Sequence, residues 1–335
     1  MAFKPRKAEI TGKKHIEANQ KMPYRVMIAT PAYDGKIDMD YAMSITESAH
    51  VAPVFGIHVT ATILKNGAFI DLARNRLVRL FLDSDCTHLF FIDADLRWEH
   101  RAFVGLVTSG LPICAGVYPK RQTPEEYPAR FAIDPVAGEG IWISHDGTTD
   151  HDKICDAGWI MCERVPTGFL CISREVIEAM VAKSPKQMML NEGEQPLLFA
   201  ATYFRRGENN EFLPVDLVNE EFKPTDPVDF IGEDFYFSDR YLKMFGKPIP
   251  VWPEFDFVHG ERWEGNWHNY LCKQAESNVA MEERGEISDS LAMRWADKLK
   301  CRGFDPMRHM KPEYRKMSQE VFEKEVLSKY MPVAA

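Results

Sequence analysis

The sequence predicts an α/β fold in which a mixed, mostly parallel sheet is flanked by helices, and three observations predict it. Apolar runs of strand length recur at residues 24–29 (YRVMIA), 88–93 (HLFFID) and 111–117 (LPICAGV). Segments with helical spacing separate them, among them 38–50 and 71–83. The runs are apolar throughout instead of alternating, which marks strands covered on both faces. Strands that alternate with helices favour parallel order.

Taken in order, residues 1–22 are polar and Lys-rich and read as a loosely held arm. The first strand ends in the turn-prone stretch Thr30-Pro31-Ala32-Tyr33-Asp34-Gly35. A helix follows over 38–50, with Tyr41, Ile45 and Ala49 at helical spacing. A second strand is expected within 54–64 (VFGIHVTATIL), closed by a turn at Asn66-Gly67. In 71–83, Ala73, Leu77, Leu80 and Phe81 are expected on one helical face. The buried strand 88–93, a helix near 98–109 and the strand 111–117 complete the regular part. Between 121 and 165 short strands and hairpins are expected. Residues 165–180 read as a turn, a short strand and a helix. The helix 233–245 stops at Gly246, with Pro248 beyond. One domain over 23–275 and a charged helical extension over 276–335 are therefore expected.

Composition narrows the function. The 335 residues carry a net charge of −9, which disfavours nonspecific nucleic-acid binding, because phosphate contacts need clustered Lys and Arg. No apolar run is long enough for a membrane span, and no apolar stretch follows the basic N-terminus as in a secretory signal. The seven cysteines form no CxxC pair. Cys86, Cys114, Cys162 and Cys171 lie in or beside apolar runs and read as reduced core residues of a cytoplasmic protein.

The chemistry centres on 90–100 (FFIDADLRWEH). Asp93 and Asp95, at i and i+2 where a buried strand ends, can project their carboxylates together. In open α/β sheets ligands bind at the carboxyl ends of strands. Two acids there suit Mn2+ or Mg2+, hard cations that prefer oxygen and can neutralise a departing diphosphate. Two other Asp-x-Asp triplets occur, but Asp83-Ser84-Asp85 precedes the strand and Asp38-Met39-Asp40 opens a helix. Asp71, Arg74 and Asn75 lie in the first turns of a helix, near unpaired backbone N–H groups that suit a nucleotide; Asp71 is equally suited to be a plain N-cap. Glu233 and Asp234 open another helix, where a carboxylate can take a proton from an attacking hydroxyl. Thr167, Gly168 and Phe169 form a turn able to shape an acceptor pocket. His259 can complete a metal's ligands, and Trp263, Trp267, His268 and Tyr270 can stack on a sugar or pack.

In order and spacing, these pieces resemble the GT-A family of glycosyltransferases over about residues 24–262. The resemblance implies a Rossmann-like GT-A sheet and a donor such as a UDP- or GDP-sugar. It implies that Thr30, Pro31, Ala32 and Tyr33 hold base and ribose, assisted by Asp71, Arg74, Asn75, Asp93 and Ala94. It implies Asp93, Asp95 and His259 at the metal, and Asp234 as the base of an inverting transfer with Glu233 supporting or replacing it. Thr167, Gly168, Phe169 and Trp263 would face a hydroxyl acceptor, a glycan or a modified nucleic-acid base. The compact chain also resembles virus- or phage-encoded members, which would place it in a host cytoplasm. Two other readings stay open: a nucleotidyltransferase on a similar sheet, and a non-catalytic sugar-binding protein. The nucleotidyltransferase would show a glycine-rich basic loop after the first strand, where this chain has Thr-Pro-Ala-Tyr-Asp-Gly-Lys.

Overall fold

The apolar runs become the centre of a nine-stranded sheet with helices on both faces. The computed structural model describes residues 22–65, 69–132, 142–143, 159–189, 193–206, 212–215, 228–260, 262–271 and 273. The expected arm over 1–22 (all but residue 22), the Asn66-Gly67 turn and the extension over 276–335 lie outside these residues, as do Cys155, Cys272 and Cys301.

The main strands are β1 (Tyr24–Ala32), β2 (Ile57–Lys65), β3 (His88–Ile92), β5 (Ile113–Gly116), β6 (Arg130–Phe131), β7 (Trp142–Ile143), β8 (Trp159–Arg164), β9 (Phe169–Ser173) and β15 (Ile249–Trp252). Their order is β2-β1-β3-β9-β5-β15-β8-β6, with β7 also paired to β8. Only β1–β2, β1–β3 and β5–β15 pair in parallel; the other pairings of this sheet are antiparallel. This corrects the expectation of a mostly parallel sheet. Two strands are the reason: β9 enters antiparallel between β3 and β5, which run the same way, and β8 pairs antiparallel with β15, β6 and β7.

The helices are α1 (Met39–Val51), α2 (Ile70–Leu82), α3 (His100–Thr108), α4 (Arg174–Ala182) and α5 (Glu233–Phe245). Side chains of a strand alternate between faces, and the two cores follow that alternation. Leu89 and Phe91 join Leu77, Val78 and Phe81 of α2, Ile177 of α4 and Phe237 of α5. Phe90 and Ile92 join Tyr41 of α1 and Phe103, Val104 and Val107 of α3 on the other face. Each such aromatic or aliphatic group, fully buried, contributes about 1.5–3 kcal/mol. Leu80, expected on the buried face of α2, is instead 44% exposed, and Val78 takes the inner position. The second strand begins at Ile57, because Ala52–Phe55 form a short 3-10 turn. Gly246 closes α5 in the left-handed conformation (φ 64°), as its position past the last helical residue requires.

Cys86, Cys114, Cys162 and Cys171 are buried and free. Among the described residues, no helix is long and apolar enough to cross a membrane.

Two small sheets pair β10 (Lys186–Met189) with β11 (Gly193–Pro196) and set β12 (Thr202–Arg206) between β13 (Phe212–Pro214) and β14 (Asp229–Ile231). A third small sheet stands where β3 ends. It joins β4 (Leu96–Trp98), β16 (Asp256–His259) and β17 (Trp263–Asn266) in the order β17-β16-β4. Register sets His259 opposite Leu96, and the Gly260 N–H donates to the Asp95 carbonyl at 2.7 Å. Residues far apart in the chain thus meet where β3 ends.

Candidate active site

β1 and β3 run side by side, so their carboxyl ends open on the same edge. The turn before β9 lies at that edge too, because Phe169 pairs with Ile92. There the Asp93 amide donates to the Gly168 carbonyl at 3.0 Å, which fixes the start of the acidic loop.

Asp93 lies in a cluster of charges. Its Oδ1 accepts from Arg74 Nη2 at 2.9 Å and its Oδ2 from the Tyr118 hydroxyl at 3.1 Å. Arg74 Nε also donates to Glu233 Oε1 at 3.3 Å, so α2 and α5 are tied to the end of β3 through one guanidinium. Burial, helped by the Asp93 charge, raises the Tyr118 pKa well above the usual phenol range, so the hydroxyl keeps its proton and donates. Arg74 Nη1 is buried with no partner among the described residues. Such an orphan donor is uncommon in a finished core and frequent at functional sites.

Asp95 and His259 form a second group. His259 Nδ1 lies 2.8 Å from the Pro119 carbonyl, which can only accept, so Nδ1 carries the hydrogen. The lone pair of the neutral ring is then on Nε2, 3.8 Å from Asp95 Oδ1. Burial lowers the His259 pKa, which keeps the ring neutral at pH 7. Arg121 makes an ion pair with Asp95 Oδ2. The Tyr118 ring stands edge-on to the His259 ring, 5.0 Å between centroids, and so links the two groups.

Both groups line one cavity of about 650 Å³, the size of a pocket for a substantial small molecule. Its wall includes Pro31, Tyr33, Arg74, Asp93, Ala94, Asp95, Glu233 and His259, all expected from sequence. Asp34, Lys36, Asp38, Ile70, Arg121 and Gly260 join them, and the sequence reading did not single these out as site residues. The triplet Asp38-Met39-Asp40 predicts a helix opening at Asp38. That residue does open α1, but its side chain makes no cap hydrogen bond. Tyr33 is 74% exposed at the cavity, an aromatic face open to a planar ligand. Ionised, the wall holds five carboxylates (Asp34, Asp38, Asp93, Asp95, Glu233) against three cations (Lys36, Arg74, Arg121).

Asp234 is next to Glu233 but is not part of this wall. Its Oδ1 accepts from the Phe235 N–H at 2.7 Å. Burial, then the neighbouring Glu233 charge, raises its pKa from 3.8 to about 6.

Other expected site residues serve the scaffold. Thr30 is fully buried and shares a 2.5 Å hydrogen bond with the Tyr41 hydroxyl, and Ala32 is 2% exposed. Asn75 Oδ1 accepts from the Leu198 and Phe199 amides at 2.9 and 3.0 Å, and Nδ2 donates to the Phe199 carbonyl at 2.8 Å. It therefore pins a distant segment and does not face the cavity. Asp71 accepts from the Leu72 amide, while Phe69 holds the N-cap position. Phe169 packs against Phe90, Trp98 and Phe257 in the core, and Trp267 is buried and stacked on Phe131. Thr167 is 1% exposed; Trp263 is half-buried, lies outside the cavity wall and has Arg262 over its ring.

Gly168 has a steric task. A Cβ there would overlap the Tyr118 hydroxyl and the Asp93 carboxylate. Gly168→Ala is expected to destabilise the fold by about 1–3 kcal/mol and to push Asp93 off Arg74. Thermal unfolding of the variant checks this, and an unchanged melting temperature would contradict it.

No group of three or more His, Cys, Asp or Glu side chains able to hold a metal occurs among the described residues. Both Asp93 oxygens accept hydrogen bonds, from Arg74 and Tyr118, and the Asp95 carboxylate faces His259. The class defined so far is an α/β protein with a large mixed sheet and a charged cavity at the strand ends. Neither a protein-family model nor a curated protein matches the chain.

Proposed function

We propose that this protein is a metal-dependent glycosyltransferase of GT-A type, moving a sugar from a nucleoside-diphosphate donor to a hydroxyl acceptor. The observation that carries the reading is the convergence of Asp93, Asp95, Glu233 and His259 on one cavity at the ends of β1 and β3.

The residues fit a divalent cation. Mg2+ and its relatives need only one or two protein ligands when phosphates and water supply the rest, so the Asp95 carboxylate and the His259 Nε2 lone pair suffice. A wall with more carboxylates than cations would repel a diphosphate unless positive charge enters with it. A bound Mn2+ or Mg2+ would supply that charge to the departing diphosphate.

The protein's own groups do the rest. Tyr33 offers a face for the base. Asp234, with its raised pKa and an Oδ2 free of the Phe235 amide, accepts the proton of the acceptor hydroxyl. The hydroxyl oxygen bonds to the anomeric carbon as the bond to the diphosphate breaks, and the diphosphate leaves with the electron pair. Glu233, paired with Arg74, supports the floor of the site.

Thermal shift with UDP and GDP, with and without Mn2+, tests the reading. Stabilisation by one of them only in the presence of Mn2+, with slow hydrolysis of the matching sugar nucleotide, is the expected result. Preference for a triphosphate with release of pyrophosphate would instead favour a nucleotidyltransferase. Sugar binding indifferent to metal would favour a non-catalytic role.

A further inference from the structure

At the floor of the cavity the carboxylates stand in front of the cation. Arg74 is 3% exposed, whereas Asp93 and Glu233 keep 23% and 16% of their side-chain surface. An entering molecule meets their oxygens before it meets the guanidinium. Asp93 gives one oxygen to Arg74 and the other to Tyr118, yet each carboxylate oxygen can accept a second hydrogen. Glu233 commits only Oε1 to Arg74 among the contacts described.

Two carboxylates against one guanidinium leave this floor with a net negative charge, and Asp234 adds to it once ionised. Such a surface accepts hydrogen bonds from neutral hydroxyls and repels another carboxylate. Cations that could balance an anion, Arg121 and Lys36, line the cavity as well, but Arg121 is engaged with Asp95 and Lys36 with Asp34.

We infer that the floor formed by Arg74, Asp93 and Glu233 selects a neutral, hydroxyl-rich sugar and refuses sugars that carry a carboxylate. This rests on the glycosyltransferase reading. Ribose and the transferred sugar are both polyols, but Glu233 adjoins Asp234, and a base must work beside the anomeric carbon. The floor therefore belongs to the transferred sugar.

Calorimetric titration at pH 7.5 with Mn2+ tests it, using UDP, UDP-glucose and UDP-glucuronate, which differ at the sugar alone, and GDP, GDP-mannose and GDP-mannuronate as the guanine set. For the nucleotide the protein takes, the neutral sugar should bind about 10-fold tighter than the uronate or more. That gap should shrink as salt is added and narrow in Glu233→Gln, which removes one charge at constant size. Uronate binding as tightly as its neutral counterpart, while the bare nucleotide still binds with Mn2+, overturns the inference and spares the reading beneath it. A Gln variant that weakens bare nucleotide and sugar nucleotide alike puts ribose on the floor and also overturns it. No binding of UDP or GDP with Mn2+ overturns both.

Discussion

Asp95→Ala is expected to abolish Mn2+-dependent nucleotide binding and to lower turnover by on the order of 10²–10³ or more, the scale seen when a group aimed at developing charge is lost. The size follows from how few ligands the protein offers. Asp93 already accepts from Arg74 and Tyr118, so on the proposed reading Asp95 and His259 are the pair that would face a cation. Removing one of the two proposed ligands would hand the site to water. Loss of the carboxylate also frees Arg121, whose guanidinium is the present partner of Asp95. Asp95→Asn keeps the shape and deletes the charge, so it should fall nearly as far; a variant close to wild type would mean that packing and not charge is what Asp95 supplies. His259→Ala should show the same loss, and the double variant should be little worse than either single one, because residues acting as a unit are not additive. Nucleotide affinity titrated against Mn2+ measures all four variants. Retention of metal-dependent binding in Asp95→Ala would remove the cation from this site.

The parts of the site legible in sequence were those announced by local pattern. A continuous apolar run of strand length ending in Asp93-Ala94-Asp95 reads as a strand covered on both sides, with its acids at one end. A glutamate and an aspartate after Gly232 were readable as the opening of a helix. What sequence spacing does not carry is which distant segment comes to meet these residues. Asn75 sits on the expected helix, yet its partners lie 123 and 124 residues away and take the whole amide. Tyr118 and Arg121 lie where strand periodicity gives out, and only the path of the chain after β5 brings them to Asp93 and Asp95. The sheet order was hidden for the same reason. Strand β9 has the apolar look of a parallel core strand, but it follows a tight turn and enters antiparallel between neighbours that are not adjacent in sequence. Phe169 shares this ambiguity: a residue after a turn resembles a pocket residue, whereas the strand it starts is central and its ring is buried.

Asp234→Asn is expected to lower kcat/KM by about 10²–10⁴, the contribution of a positioned base, and to erase a rising limb in the pH profile. The Asp234 pKa is raised to about 6, first by burial and then by Glu233. A base must be ionised to accept a proton, so wild-type kcat/KM should climb as pH passes through about 6 and level off above it. The stability sign runs the other way. A folded-state pKa above the ordinary carboxyl value means that the fold binds this proton more tightly than the unfolded chain does. Its contribution is fullest below pH 3.8 and is lost as pH rises to about 6, so at neutral pH the ionised carboxylate costs stability. Replacing it by a neutral amide should therefore hold or raise the melting temperature at pH 7.5 while activity collapses. A loss of activity through unfolding would lower both together, which makes the opposed signs diagnostic of a working base. Glu233→Gln supplies the contrast. It removes a neighbouring negative charge, so the wild-type limb near pH 6 should move to lower pH instead of vanishing. A profile that keeps its limb near 6 in Asp234→Asn would assign the proton to another group.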